Sequence, residues 1–485
     1  MWKSAVGVLL LAVGLSACQF QTGQSQEKKQ LKFRENGKFK VAQFTDMHLV
    51  SGSPNTATTL ATIKFVLDTE KPDVAILTGD QVIDKPSQDM WLLIAETFDA
   101  AQIPFAVVFG NHDAETITRA EAYELLSQSS YFLGERGPKD IHGYGNYVLP
   151  VRASKSDKVA ALLYCFDSND YSAFGYDWIH YDQINWYRQQ SKAYTKANDG
   201  KPLPALAFFH IPLLEYFNTA GKVTTYGTKN EGGSPAKLNT GMFASIKEMG
   251  DVKGVFVGHD HDNDFIGIDY GVALAYGRVT GADAYGGLER GGRIIELTEN
   301  ATTFTTWIRT PKAGAHQIYY YPSGINGEQE AKAVYSPALN VNTAKQGVAY
   351  KYYEGEFKSV GDLAKAKVVK QGKQKDFSIK DAAAGDHFGY EFHTLIKIPE
   401  KSIYYFYTTS DDGSKLYIDG KLVVDNDGSH SAKKASSITV GLDAGFHDLR
   451  VLYFDDYMDQ KLEVGLLSKN IAETIIPAEW LYLPE

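Results

Sequence analysis

Positive charge is in short supply. The chain sets 49 lysines and arginines against 59 aspartates and glutamates, a net charge of −10 over 485 residues. That balance does not suit a protein that grips nucleic-acid phosphates, so no nucleic-acid partner is expected. Small anionic substrates stay open, because bound cations would set the local field. Cysteine is nearly absent, with only Cys18 and Cys165. Long apolar runs are lacking too, and the run Val6 to Leu15 is too brief to span a bilayer comfortably. Against these absences stand 44% hydrophobic and 13% aromatic residues, the composition of folded domains rather than disorder. A chain of this length is expected to hold two folded units, and no internal repeat relates its halves.

The N-terminus reads as a processing signal. Lys3 supplies a positive start, the apolar run follows, and Leu15-Ser16-Ala17-Cys18 gives the small-residue cleavage pattern. These four residues resemble a bacterial lipobox, in which the cysteine is acylated and becomes the first mature residue. A plain signal peptide or a short membrane anchor is the alternative. Gln19 stands where lipoproteins retained in the inner membrane typically carry Asp. The expectation is therefore a bacterial cell-envelope protein held in outer-membrane lipid through acylated Cys18, its face (periplasm or surface) left open. Cys165 would then have no disulfide partner, and its apolar surroundings read as a buried, inert thiol.

Residues 1–18 form the signal and 19–37 a polar, flexible tether. From 38 to 311 apolar strands alternate with helical stretches at 57–69, 89–101 and 115–128, which argues an α/β unit, a mixed sheet layered with helices. Residues 312–345 read as a linker. From 346 to 485, strands separated by Asp-Gly and Ala-Gly turns argue an all-β sandwich or barrel.

Five polar clusters stand in the first unit, each where an apolar strand runs out: Asp46-Met47-His48, Gly79-Asp80, Gly110-Asn111-His112-Asp113, His210 and Gly258-His259-Asp260-His261. They hold five of the 12 histidines. Side chains just past the carboxyl ends of strands converge on one crevice in an open α/β sheet. A crevice gathering imidazoles, carboxylates and a carboxamide suits two cations, and such a mixed N/O shell suits Mn, Fe or Zn better than Mg or Ca. Two close cations repel, so a carboxylate must bridge them, and Asp80 is the natural bridge. Asp46 and His48 would complete one metal, Asn111 and His210 the other, with His259 and His261 serving one each. His112 is the histidine left unligated, free to protonate a leaving alkoxide. Asp113 would orient His112 or, the favoured reading, cap the helix beginning near Glu115. Taken singly, each cluster is an ordinary turn, cap or core histidine.

Together the clusters resemble the calcineurin-like metallophosphoesterase superfamily, and most closely its purple-acid-phosphatase-related branch, over about residues 38–310. The carrying segments include Val41-Ala-Gln-Phe-Thr-Asp-Met-His48, Thr78-Gly-Asp80, Gly110-Asn-His-Asp113, Gly175-Tyr-Asp-Trp-Ile179, Phe209-His-Ile-Pro212 and Val255-Phe-Val-Gly-His-Asp-His261. The resemblance implies a metallophosphoesterase β-sandwich layered with helices. It puts Asp46, His48, Asp80 and His261 on one metal, and Asp80, Asn111, His210 and His259 on the other, with His112 assisting the leaving group. Purple members carry a tyrosine soon after the bridging Asp and Gly where His48 stands; here Gln81-Val82-Ile83 follow Asp80. The protein is thus not expected to be purple. Some of this branch are named inactive, yet every other ligand is present and activity is expected. Glu215, Tyr226, Asp264 and residues 281–292 are candidates to line the cleft, each with a structural alternative, and Asp177-Trp178 matches the branch or is a packed turn.

The second unit resembles the sandwich named after anthrax protective antigen, through Ser410-Asp411-Asp412-Gly413, Leu416-Tyr-Ile-Asp-Gly420 and Asp427-Gly-Ser-His430. In sugar-binding members two adjacent aspartates hold a calcium that grips glycan, which would fall to Asp411 and Asp412; hairpin turns are the alternative. His387, His393, His430 and His447 are expected in or beside the sandwich core. The expected function is a lipid-anchored two-metal phosphomonoesterase with a glycan-binding appendage. A phosphodiesterase, or a silent glycan-binding surface lipoprotein, is the alternative.

Overall fold

The computed structural model describes residues 29–222, 224–341 and 345–484. The expected signal and Cys18 lie outside these residues. The first unit is a four-layer α/β sandwich of two seven-stranded sheets. One sheet contains the parallel strands β1 (Lys38–Phe44), β2 (Val74–Thr78) and β3 (Phe105–Val108). The other contains β4 (Val159–Cys165), β5 (Ala205–Phe208) and β6 (Val252–Val257), again mutually parallel.

Alternation along β4 shows why these strands read as unbroken apolar runs. Leu163 and Cys165 enter the core between the sheets, whereas Leu162 and Tyr164 enter a second core. That second core is closed by Ile184 and Tyr187 of helix α4 (Tyr181–Ala197) and by Phe243 and Ile246 of α5 (Met242–Met249). A strand buried on both faces has no place for polar residues. The outer face of the first sheet is covered by α1 (Pro54–Glu70) and α2 (Gln88–Ala101), whose Ile63, Val66, Trp91 and Phe98 are buried beneath them. The loops that follow β1, β2, β3, β5 and β6 carry Asp46, Asp80, Asn111, His210 and His259.

Two expectations are corrected. The helix at 115–128 is α3, Arg119–Leu126, started by a Thr118–Glu121 capping box rather than by Asp113. Residues 312–345 are not a bare linker. Gly314–Tyr321 adds an antiparallel strand to the first sheet, a short helix spans Gly327–Lys332, and Tyr335–Ser336 pairs with Val440–Leu442 of the second unit. The tyrosines of this strand alternate inward: Tyr319 and Tyr321 are buried, and Tyr321 stacks on Phe304 at 4.7 Å.

The second unit is an all-β sandwich of a six- and a seven-stranded sheet around one core that includes Tyr352, Phe392, Phe406, Val451 and Leu466. Of its expected core histidines, His447 is fully buried, while His387, His393 and His430 are partly buried beside it.

Candidate metal centre

The five strand-end loops meet. After β1 the chain turns through Asp46 and His48, which flank buried Met47 and so face the same way. Their backbone is locked to the next loop by Asp46 N–H to Gly79 C=O (3.0 Å) and His48 N–H to Asp80 C=O (3.0 Å). Asp46, His48, Asp80 and His259 all take positive φ, at 52°, 47°, 53° and 80°. Non-glycine residues seldom adopt this region, and its cost is tolerated chiefly where function demands a side chain's direction. Two glycines make room for their neighbours. A Cβ at Gly79 would lie 2.2 Å from His210 Nδ1, and one at Gly110 would lie 2.2 Å from Asp80 Oδ1.

The side chains form two buried triads, Asp46–His48–His261 and Asp80–His210–His259, each with ligand atoms within 4.8 Å of one another. His261 Nε2 lies 3.3 Å from Asp46 Oδ1. Asp80 Oδ2 lies 3.1 Å from His210 Nε2 and 3.8 Å from His48 Nε2, so one oxygen faces both triads. Buried Asn111 belongs to neither triad as such; its Nδ2 donates to the Tyr171 hydroxyl (2.9 Å), which leaves Oδ1 free.

The donor set fits a pair of cations. Buried and without a hydrogen-bond partner are His48 Nε2 and Asn111 Oδ1, while His261 turns Nε2 to Asp46 and His259 turns Nδ1 to His210. Orphaned buried polar atoms are costly and call for an explanation. His210 Nδ1 faces the Thr78 carbonyl (2.8 Å), so it carries a proton, and Nε2 is turned into the centre. There it lies 3.2 Å from His259 Nδ1. Among the protein's own groups, Asp80 draws positive charge onto this ring. Burial opposes a charge on His210, but Asp80 more than offsets it and pushes the imidazole up to about 10. Burial and the neighbouring His210 push His259 down to about 3, and burial holds His48 down at about 4. Burial also opposes ionisation of Asp80, yet His210 and His48 hold its carboxyl far below the usual range. The pocket thus wants positive charge close to Asp80, with neutral imidazoles around it.

His112 lies in neither triad. Its backbone N–H donates to Asp80 Oδ1 (2.9 Å), its ring stands 6.0 Å from that of His48, and its Nδ1 pairs with Glu115 Oε1 at 2.9 Å. Asp113 neither caps a helix nor orients His112. Fully buried, it accepts from the backbone N–H groups of Asp80, Gln81, Val82 and Gly110, tying the Asp80 loop to the Asn111 loop.

Three tyrosines were not foreseen as a group. Tyr171 holds Asn111, Tyr176 meets the edge of His259 at 4.3 Å, and Tyr285 stacks on His261 at 3.9 Å. Tyr176 and Tyr285 fall in segments singled out from the sequence; Tyr171 has no motif. The other cleft candidates serve the scaffold: Glu215 accepts from Asn239 (2.7 Å), Asp264 pairs with Arg278, Tyr226 bridges to Ile266, and Asp177 pairs with His180.

In the second unit, Asp411 and Asp412 are buried side by side. Asp412 accepts from His430 N–H (2.8 Å) and Asp456 N–H (2.7 Å). Nearby Asp455 keeps a buried Oδ1 without a partner, and burial together with Asp412 pushes its carboxyl up to about 7.

Comparison with known proteins agrees with this geometry. Residues 39–263 match the family described as calcineurin-like phosphoesterase, and residues 344–480 match the PA14 domain. An Arabidopsis thaliana protein named "Probable inactive purple acid phosphatase 29" is 34% identical over 346 residues, covering 63% of this chain and 89% of the relative. "Probable inactive purple acid phosphatase 14" of the same plant is 30% identical over 352 residues, 63% of this chain and 86% of the relative. "Phosphatase DCR2" of Saccharomyces cerevisiae is 32% identical over 344 residues, 62% of this chain and 58% of the relative. The chain belongs to the calcineurin-like phosphoesterases related to purple acid phosphatases, with a PA14 domain following.

Proposed function

We propose that the chain is a phosphomonoesterase that works with two transition-metal ions, Mn, Fe or Zn. Asp46, His48, Asp80 and His261 would hold one ion, and Asp80, Asn111, His210 and His259 the other. The observation that carries this reading is the convergence of two buried His/Asp triads on one oxygen of Asp80, with the ligand atoms His48 Nε2 and Asn111 Oδ1 left without a partner in the protein. Bound ions would supply Lewis acidity, neutralising phosphoryl oxygens and making water nucleophilic. The chain's own residues do the rest. Asp80 keeps both triads in register, and Tyr171 fixes the Asn111 amide. His112, at the open side, gives a proton to the departing alcohol oxygen as the ester P–O bond breaks. Glu115, on the ring's other nitrogen, sets which nitrogen faces the substrate.

The test is hydrolysis of an aryl phosphate by Mn- or Zn-loaded protein. Asp80→Ala and His112→Ala should each remove most of it, and undiminished turnover in either contradicts the roles. One specific observation favours a silent protein, the word "inactive" in the names of two relatives. A chain that purifies and reconstitutes without metal, yet is retained on a polysaccharide, would decide for that reading.

We further propose outer-membrane attachment through acylated Cys18 and glycan binding by the PA14 domain. A calcium ion at Asp411 and Asp412 is supported by the orphaned Asp455 oxygen beside them. Labelling with a fatty-acid analogue that is abolished by Cys18→Ser tests the first. Calcium-dependent retention on glycan, lost in Asp412→Asn, tests the second.

A further inference from the structure

A file of rings borders the metal centre. Tyr285 stacks on His261 (3.9 Å), His261 meets His48 (4.7 Å), His48 meets His112 (6.0 Å), His112 meets Tyr171 (6.4 Å), Tyr171 meets Tyr176 (5.8 Å), and Tyr176 meets His259 (4.3 Å). Of these residues His48, His259 and His261 are buried, His112 and Tyr176 are half-buried, and Tyr171 is 48% exposed and Tyr285 55%. The two are not equivalent. Tyr285 has one face against His261, and its hydroxyl bonds to Glu231 (3.0 Å), which also accepts from Asp262 N–H (2.6 Å); its surroundings explain it as a brace for the His261 loop.

Tyr171 opens a two-stranded hairpin, Tyr171–Ser172 with Gly175–Tyr176, that stands at the rim. Tyr176 backs its ring at 28°, and the Asn111 amide pins its hydroxyl at 2.9 Å. A large ring half in water, held at both ends, presents a fixed apolar face. It does so next to His112, the side at which the alcohol half of the substrate leaves. Orienting Asn111 needs only the hydroxyl, so it does not account for an exposed ring face.

We propose that Tyr171 is the specificity-determining wall of the leaving-group subsite, and that the preferred substrates are phosphomonoesters whose alcohol carries a planar aromatic ring one or two bonds from the ester oxygen. This rests on the phosphoesterase reading above. The reaction is unchanged: the ester P–O bond breaks, oxygen from water ends on phosphorus, and the alcohol leaves with a proton from His112. The ring adds binding where aromatic faces meet, a gain of roughly threefold to tenfold.

The experiment compares benzyl, cyclohexylmethyl and ethyl phosphate on metal-loaded protein. All three alcohols are poor leaving groups, so their kcat/KM ratios report recognition rather than chemistry. The wild type should favour benzyl over both others by that factor. Tyr171→Phe should keep the preference, and Tyr171→Leu should bring the ratios close to one. Both variants lose the hydroxyl that holds Asn111, so the difference between them isolates the ring. Calorimetric binding of benzylphosphonate against ethylphosphonate should follow the same pattern without any turnover. Equal ratios in the Phe and Leu variants, or equal use of benzyl and cyclohexylmethyl esters by the wild type, overturn the proposal. Selective benzylphosphonate binding with no hydrolysis of any ester would keep the subsite and remove the phosphoesterase reading instead.

Discussion

Asp113→Asn separates two roles by size. As a helix cap, Asp113 would be worth about 1 kcal/mol and would leave the metal centre untouched. The structure gives it a heavier task. Oδ1 accepts from Gln81 N–H (2.7 Å) and Val82 N–H (3.2 Å), while Oδ2 accepts from Asp80 N–H (3.0 Å) and Gly110 N–H (2.9 Å). Whichever way the asparagine amide points, its NH2 faces two of these donors. Two buried N–H groups then lose their acceptor at about 1–3 kcal/mol each, so the variant should be destabilised by about 2–6 kcal/mol. Domain stabilities run to about 5–15 kcal/mol, so this is a large share. The orphaned groups include Asp80 N–H or its neighbour Gln81 N–H, so the carboxylate shared by the triads should also move. Denaturant unfolding followed on the first unit, with hydrogen exchange at the Asp80, Gln81 and Val82 amides, measures the cost. Titration with Mn or Zn measures the displaced ligand. A loss near 1 kcal/mol, with unchanged exchange and metal affinity, would refute the anchoring role and restore the cap.

Other outcomes follow from the same geometry. Gly110→Ala places a Cβ 2.2 Å from Asp80 Oδ1, so the folded variant should bind metals far more weakly than wild type in equilibrium dialysis. His447 is buried with Nδ1 2.8 Å from Asp419 Oδ2 and Nε2 2.9 Å from the Asp443 carbonyl, so both nitrogens must carry protons. Burial works against that charge, but the Asp419 carboxylate raises the group above its ordinary value. A raised folded value stabilises fully below the unfolded value of about 6.5 and is lost as pH climbs through the folded one. His447→Gln should therefore cost more at pH 6 than at pH 9 in thermal unfolding, and an equal cost at both would contradict the charged pair. Loaded with ferric iron, the protein should lack the purple absorption of a phenolate ligand, since Gln81 and not tyrosine follows Asp80.

Much of the centre was legible because of how the fold buries its strands. A parallel strand such as Val159–Cys165, apolar on both faces, announces itself as a run, and the first polar residues after it must lie at the sheet's edge. That logic brought Asp46, Asp80, Asn111, His210 and the histidine pair to one place. Asp113 was misread because three of the four amides it accepts from lie 31–33 residues earlier, and nothing local announces them. Tyr171 was missed because a ring that pins a ligand from 60 residues away leaves no motif. The strand Gly314–Tyr321 was read as linker because its inward tyrosines lie beside a proline turn, and tyrosine serves both settings.

The central claim is that two cations share Asp80. The direct measurement is elemental analysis of protein reconstituted with Mn or Zn and freed of excess ion, wild type beside Asp80→Ala. About two ions per wild-type chain, and about one or fewer in the variant, is the expected result. A wild-type chain that retains none, or a variant that retains as many, would contradict it.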